Sequence, residues 1–201
     1  WVIVTMRPGA GRVLEGRLAR AGVEAERYVL DAKVCGDADA LERLWAEWRV
    51  ETADGLVCIP DGNPDAPDFI HLRGLYGLIR YLVDHQKATL PKVVVVADPG
   101  SSEVFNGPSQ GLLGCLAWEQ PGMQPLYFSG GRDLGETEEA LATWLRSGSD
   151  AQTVFWKDGR YHIPRLKPIP LESDSPKLRS DRTYLITGGM GDLGMATAEW
   201  M

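Results

Sequence analysis

An unbroken apolar run of four valines and an alanine, Val93-Val-Val-Val-Ala97, limits the fold of this chain more than any other feature. Alternate residues of a β-strand point to opposite faces of the sheet, so this run predicts a strand that is buried on both faces. Strands of this kind are typical of parallel sheets that helices cover on both sides. The sequence therefore predicts a parallel α/β sheet.

Strand and helix signals alternate on both sides of this run. Short apolar segments predict further strands at residues 1–5, 28–30, 55–59 and 126–128. Apolar residues at helical spacing predict helices at residues 13–21, 41–48, 68–87, 106–119 and 136–146. Either Asp37 or Asp39 can cap the second helix. Asp158-Gly159 predicts a hairpin turn between strands at 153–156 and 161–166. Together these elements indicate a Rossmann-like, doubly wound parallel sheet over residues 1–166.

Two stretches interrupt this rhythm. Residues 60–67 form a polar loop rich in proline, and residues 167–182 combine Pro168, Pro170 and Pro176 with serines and acidic residues. The second stretch is typical of a linker. We therefore expect a structural subdomain at 1–166, a linker at 167–182 and the beginning of a second Rossmann subdomain at 183–201. The start at Trp1 resembles a strand cut from a longer polypeptide.

Composition excludes several classes of partner and site. The net charge is −7 with no basic cluster, and no apolar run reaches the length of a membrane span, so we expect neither nucleic acid nor membrane as a partner. Cys35, Cys58 and Cys115 are widely spaced and are expected to be buried free thiols, in keeping with a cytoplasmic protein. The three histidines share no metal-ligand spacing with them, so no metal site is expected.

A glycine-rich stretch near the end, Thr183-Tyr-Leu-Ile-Thr-Gly-Gly-Met-Gly-Asp-Leu-Gly194, carries the chemistry. Its first five residues predict a strand, and residues 195–201 are compatible with a helix. Gly189, Gly191 and Gly194 satisfy the pattern G-x-G-x-x-G in the strand–turn–helix context of a dinucleotide-binding loop. Glycine lets a pyrophosphate approach backbone N–H groups at the positive end of a helix dipole.

A similar turn follows the first strand, at Gly9-Ala-Gly11-Arg-Val-Leu14. There Leu14 replaces the third glycine, which normally lets helix and strand pack closely. We interpret the first turn as purely structural and the second as the binding turn.

The chain resembles the ketoreductase domain of modular polyketide synthases over essentially its whole length. The resemblance rests on Pro91-Lys-Val-Val-Val-Val-Ala97, on Gln110-Gly-Leu-Leu-Gly-Cys-Leu-Ala-Trp-Glu-Gln-Pro121 and, most specifically, on residues 183–194. In that family a degenerate Rossmann-like structural subdomain precedes a catalytic short-chain-reductase subdomain.

The resemblance implies NADPH-dependent reduction of a β-ketoacyl group carried by an acyl carrier protein, within a homodimeric parent that also holds other polyketide synthase domains. The cofactor pyrophosphate would be lined by the residues of the second turn, which are Gly188, Gly189, Met190, Gly191, Asp192, Leu193 and Gly194. Asp192 departs from the family, which usually has glycine or alanine there. Its carboxylate would repel a pyrophosphate unless it points outward, where it would favour the helix N-terminus.

The family's catalytic serine, tyrosine, lysine and asparagine would lie downstream of the glycine turn, so no catalytic residue is assigned. Lys157 and Tyr161 are four residues apart but flank the predicted hairpin turn, and we expect them at the surface. Tyr184 is expected to pack within a strand. We expect these 201 residues alone to be inactive. The alternative is a non-catalytic pseudo-ketoreductase that braces neighbouring domains, whereas a free-standing dehydrogenase agrees poorly with the broken first turn.

Overall fold

The computed structural model describes residues 1–60, 70–85, 91–99, 103–170 and 178–201. They form two compact units, Trp1–Pro164 and Arg165–Met201. Several predictions lie wholly or partly outside the described residues: most of the loop at 60–67, both ends of the helix at 68–87, and the middle of the linker at 167–182.

The first unit is built on a sheet that, within the described residues, has seven strands in the order β2-β1-β3-β4-β5-β6-β7. The strands are β1 (Val2–Thr5), β2 (Glu26–Val29), β3 (Gly55–Ile59), β4 (Lys92–Val96), β5 (Gln124–Gly130), β6 (Thr153–Lys157) and β7 (Arg160–His162). Strands β1 to β6 pair in parallel, and β7 is antiparallel to β6. The predicted Rossmann-like fold class is confirmed.

The helices of the first unit are α1 (Arg12–Arg20), α2 (Ala38–Glu47), α3 (Ile70–Asp84), α4 (Glu103–Glu119) and α5 (Leu134–Leu145), and α6 (Asp192–Trp200) belongs to the second. Asp37, one of the two predicted caps of α2, accepts a hydrogen bond from the Ala40 N–H at 3.0 Å, whereas Asp39 lies inside the first turn. Among the described residues, no helix is long and apolar enough to cross a membrane.

The buried face of helix α1 is narrow. Leu14 and Leu18 point into the core, but Val13 and Ala21 are exposed. A residue next to Leu14 is turned by about 100° around the helix, so Val13 cannot share its face.

The valine run of β4 is buried on both faces of the sheet, as predicted. Val93 and Val95 join one hydrophobic cluster with residues of α2, α3 and α4, and Val94 and Val96 join a second cluster with residues of α1 and α5. All four side chains are at most 1% exposed. Burial of each stabilises the fold by about 1.5–3 kcal/mol, which makes β4 the centre of both clusters.

The connection through α5 departs from the usual handedness of parallel sheets. The connections β3–α3–β4 and β5–α5–β6 step in the same direction across the sheet, yet α3 and α5 cover opposite faces. Two such connections must have opposite hands, whereas nearly all parallel crossovers are right-handed. This arrangement places α5 beside α1.

The turn between β5 and α5 explains how the chain reaches that face. Gly130 and Gly131 have φ values of 122° and 89°, a region that side chains disfavour. Asp133 then caps α5 by accepting from the Glu136 N–H at 2.8 Å, and the buried Thr137 hydroxyl donates to the Gly130 carbonyl. The turn is therefore held by two glycines and two local polar side chains.

Replacing Gly130 with alanine is expected to lower the free energy of unfolding by about 2–4 kcal/mol, because the new Cβ would lie closer than 3.0 Å to the Trp156 carbonyl oxygen. The control is Gly148→Ala, which also has positive φ (68°) but no atom within 4 Å of the added Cβ, and it should cost about 1 kcal/mol. Urea denaturation of both variants measures the difference. Equal losses would contradict the steric role of Gly130.

The predicted hairpin is present but short. Asp158 and Gly159 both have positive φ, at 51° and 73°, as the two-residue turn requires. Strand β7 ends at His162 rather than reaching residue 166, since Pro164 has no N–H to continue a ladder.

The three cysteines do not share one environment. Cys35 and Cys58 are buried, and burial raises the pKa of Cys58 to about 12 and that of Cys35 to about 11. Cys115 is exposed, so the expectation of a buried thiol was wrong there. It lies on the outer side of α4 beside the exposed Gly111 and Gly114, while Leu113 and Leu116 take the inner side.

Ellman's reagent at pH 8 is expected to modify Cys115 first. Cys58 should react more than about 100-fold more slowly, because a pKa near 12 leaves about one thiolate in 10,000 at that pH and the sulfur is buried. Mass spectrometry of the native protein identifies the modified thiol, and urea-unfolded protein, in which all three thiols should react, is the control. Comparable native rates for Cys58 and Cys115 would contradict the assignment.

Candidate functional site

The glycine turn lies in the second unit and leads directly into α6. Gly188 adopts a left-handed conformation with φ of 72°, and the Gly191 N–H donates to the Gly188 carbonyl at 2.9 Å. Gly191 is the N-cap of α6 and makes no side-chain capping bond. The first N–H groups of a helix have no intrahelical acceptor, so the turn presents several donors at the positive end of the helix dipole.

Gly194 holds the turn against the helix. It is the buried residue of α6, and a Cβ at this position would lie closer than 3.0 Å to the Gly188 carbonyl oxygen and the Gly189 Cα. Close packing at the third glycine is what a dinucleotide-binding turn requires.

All seven residues predicted to bind cofactor fall on this turn and on the first turn of α6. Met190 and Leu193 are 95% and 87% exposed, and Asp192, the first residue of the helix, is also exposed. A carboxylate at that position favours the helix dipole.

The strand predicted at residues 183–187 is not formed, because these residues have no partner strand among the described residues. A strand depends on backbone hydrogen bonds to a neighbour, which propensity alone cannot replace. Tyr184, expected inside that strand, is half exposed, and its hydroxyl accepts from the Arg179 N–H at 2.7 Å.

Lys157 and Tyr161 lie on the two strands of the hairpin in the first unit. Lys157 is exposed, as expected. Tyr161, also expected at the surface, is instead partly buried, and its hydroxyl donates to the Ala140 carbonyl at 2.9 Å. Its ring packs against Trp144 and Trp156, and burial raises the pKa of the phenol. Tyr161 is partly buried because it packs against Trp144 and the Ala140 carbonyl of α5, which lies outside the hairpin.

Among the described residues there is no group of three or more histidine, cysteine, aspartate or glutamate side chains that could hold a metal ion.

No model of a known protein family matches the sequence, but individual proteins and solved structures do. Over 76% of its length the chain is 39% identical to a phenolphthiocerol/phthiocerol polyketide synthase from Mycobacterium tuberculosis. Over 60 residues, 28% of its length, it is 47% identical to the 6-methylsalicylic acid synthase of Aspergillus niger. The matched regions are 9% and 3% of those proteins.

The fold resembles the structure of a C2-type ketoreductase from a modular polyketide synthase. The TM-score is 0.57 at 16% sequence identity, and the match covers 90% of this chain and 43% of the other. The chain is thus similar in sequence to a segment of polyketide synthases and shares its fold with a ketoreductase.

In the first unit, sequence reasoning missed Glu138, whose buried carboxylate contacts the first glycine turn. Its two hydrogen bonds link residues that are separated by 127 and 124 positions in the chain, so no local motif predicts the contact. The only sequence signal was an acidic residue shortly before the apolar stretch 140–142 of α5.

Replacing Gly194 with alanine is expected to displace the glycine turn, because Cβ cannot fit beside the Gly188 carbonyl, at a cost of about 1–3 kcal/mol. The matched variant is Gly191→Ala, where Cβ would lie 3.4 Å from the same oxygen at φ of −89°. In ¹H–¹⁵N spectra of the 201-residue protein, Gly194→Ala should shift the amides of residues 188–190 strongly, and Gly191→Ala only its neighbours. Equal disturbance by both would contradict the packing role of Gly194.

Proposed function

We propose that this chain supplies the structural subdomain of a polyketide synthase ketoreductase together with the turn that begins its NADPH site. The complete domain would reduce a β-ketoacyl group carried on an acyl carrier protein to the β-hydroxy form. The observation that carries the proposal is the close fit of Gly194, in the first turn of α6, against Gly188 and Gly189 at the uncapped N-terminus of that helix.

The residues of the turn have distinct roles under this proposal. The backbone N–H groups at the start of α6 would bind the cofactor pyrophosphate, and Gly194 keeps them at the surface of the turn. Met190 and Leu193 are almost fully exposed and would shield the pyrophosphate from water on either side. The bound NADPH would supply the hydride.

Asp192 sets a limit on this site. Its carboxylate is exposed at the first position of α6, so solvent screens its repulsion of a nearby phosphate. We propose that Asp192 stabilises the helix N-terminus from outside the phosphate-binding face.

The partners follow from the family. Because the chain matches only 9% of the mycobacterial synthase, we propose that it works beside other polyketide synthase domains and an acyl carrier protein, in a homodimeric cytoplasmic assembly.

A second candidate function is a non-catalytic brace for neighbouring domains. It is favoured by the larger unit, whose first glycine turn has a buried leucine, Leu14, at the third position. The Tyr161 hydroxyl also donates a hydrogen bond within this unit, to the Ala140 carbonyl. This candidate predicts the same fold without cofactor binding.

Titration of the ¹⁵N-labelled 201-residue protein with NADPH separates the two functions. The reductase proposal predicts saturable amide shifts centred on residues 188–194, weak because one turn contacts only part of the cofactor, and their loss in Gly194→Ala. No NADPH oxidation is expected when a β-ketoacyl thioester is added. An absence of shifts at millimolar NADPH would favour the brace, and equal shifts in wild type and Gly194→Ala would contradict the assigned site.

A further inference from the structure

The first glycine turn has an internal anion at the position where a binding turn would receive phosphate. Helix α1 begins after Gly11, which has no side chain to cap it. The Gly11 N–H donates to Glu138 Oε1 at 2.7 Å, and the Leu14 N–H donates to Glu138 Oε2 at 2.9 Å. Each carboxylate oxygen therefore accepts a hydrogen bond from one backbone amide at the start of the helix.

The burial of Glu138 makes this contact more than a surface cap. Glu138 is 2% exposed, although ionised side chains are almost never fully buried without partners. Two charge-assisted hydrogen bonds and the positive end of the α1 dipole compensate its charge. The same kinds of group, backbone N–H donors at a helix N-terminus, bind phosphate in dinucleotide-binding turns.

The unusual path of α5 brings the carboxylate to this point. Because α5 lies on the same sheet face as α1, its second turn faces the N-terminus of α1. The next residue, Glu139, pairs with Arg17 of α1 at 2.5 Å in an exposed position. The two neighbouring glutamates thus contact the same helix, one buried at its start and one at its surface.

We propose that Glu138 takes the place of a cofactor phosphate at the first glycine turn and closes that turn to dinucleotides and other phosphate ligands. The buried Leu14 side chain and the Glu138 carboxylate act together, since one fills the space of the third glycine and the other occupies the amide donors. This role of Glu138 belongs to the first unit and does not depend on whether the second turn binds NADPH.

Anion rescue tests this assignment. Three forms of the 201-residue protein are compared by thermal unfolding: wild type, Glu138→Ala and the matched Glu139→Ala. Glu138→Ala should lower Tm by about 5–10 °C because buried N–H donors lose their acceptor, and Glu139→Ala by less than about 3 °C. Inorganic phosphate at constant ionic strength should then raise the Tm of Glu138→Ala saturably, with no comparable effect on the other two proteins.

Each other outcome overturns the proposal. Equal Tm values for the two variants would mean that the buried carboxylate does not hold the helix. Destabilisation without phosphate rescue, or rescue by acetate alone, would leave Glu138 a structural cap whose position does not fit a phosphate. Phosphate stabilisation of all three proteins would place the anion elsewhere.

If Glu138→Ala shows no folding transition, the isosteric Glu138→Gln keeps the test decisive. Removing the charge while keeping an amide oxygen should move the amide proton resonances of Gly11 and Leu14 upfield in ¹H–¹⁵N spectra, with the turn at 188–194 unchanged. Unmoved resonances at Gly11 and Leu14 would overturn the assignment.

Discussion

Burial of both faces of the central strand is the constraint on which the first unit depends. The valines of β4 alternate between two hydrophobic clusters, so the sheet is stable only if helices cover each face. Helices α2, α3 and α4 cover one face, which leaves the other to α1 and α5. If that second face stayed open, exposure of its apolar side chains would cost more free energy than the preference for right-handed crossovers provides. Helix α5 therefore crosses on that side.

A polar consequence follows from this packing. Once α5 lies beside α1, the backbone amides at the start of α1 need a hydrogen-bond acceptor from the buried side of α5. The Glu138 carboxylate accepts from two of these amides. A buried charge without such partners would be destabilising by several kcal/mol. The packing of the two helices and the closure of the first glycine turn are therefore one arrangement.

The features that sequence predicts here are those set by neighbours in the chain. The alternation within β4, the Asp37 cap and the Asp158–Gly159 turn depend on residues within four positions, and so does the placement of residues 188–194 on a turn and a helix start. The path of α5, the Glu138 contact and the aromatic packing of Tyr161 join distant segments, and no local pattern signals them. The strand predicted at 183–187 is not formed for the converse reason. Its strand propensity is local, but a strand also needs a neighbouring strand, and none pairs with it among the described residues.

The two glycine turns have different roles. Both end in a helix whose N-cap is a glycine without a side-chain bond, so both leave amide donors to be satisfied from outside the helix. In the first, a protein carboxylate satisfies them, and the buried Leu14 stands at the position of the third glycine. In the second, Gly194 retains the close packing that a ligand-binding turn needs. Under the proposed function, the anion at the first turn is the Glu138 carboxylate, and the anion at the second turn is the cofactor pyrophosphate. The first turn therefore stabilises the fold, and the second turn binds the cofactor.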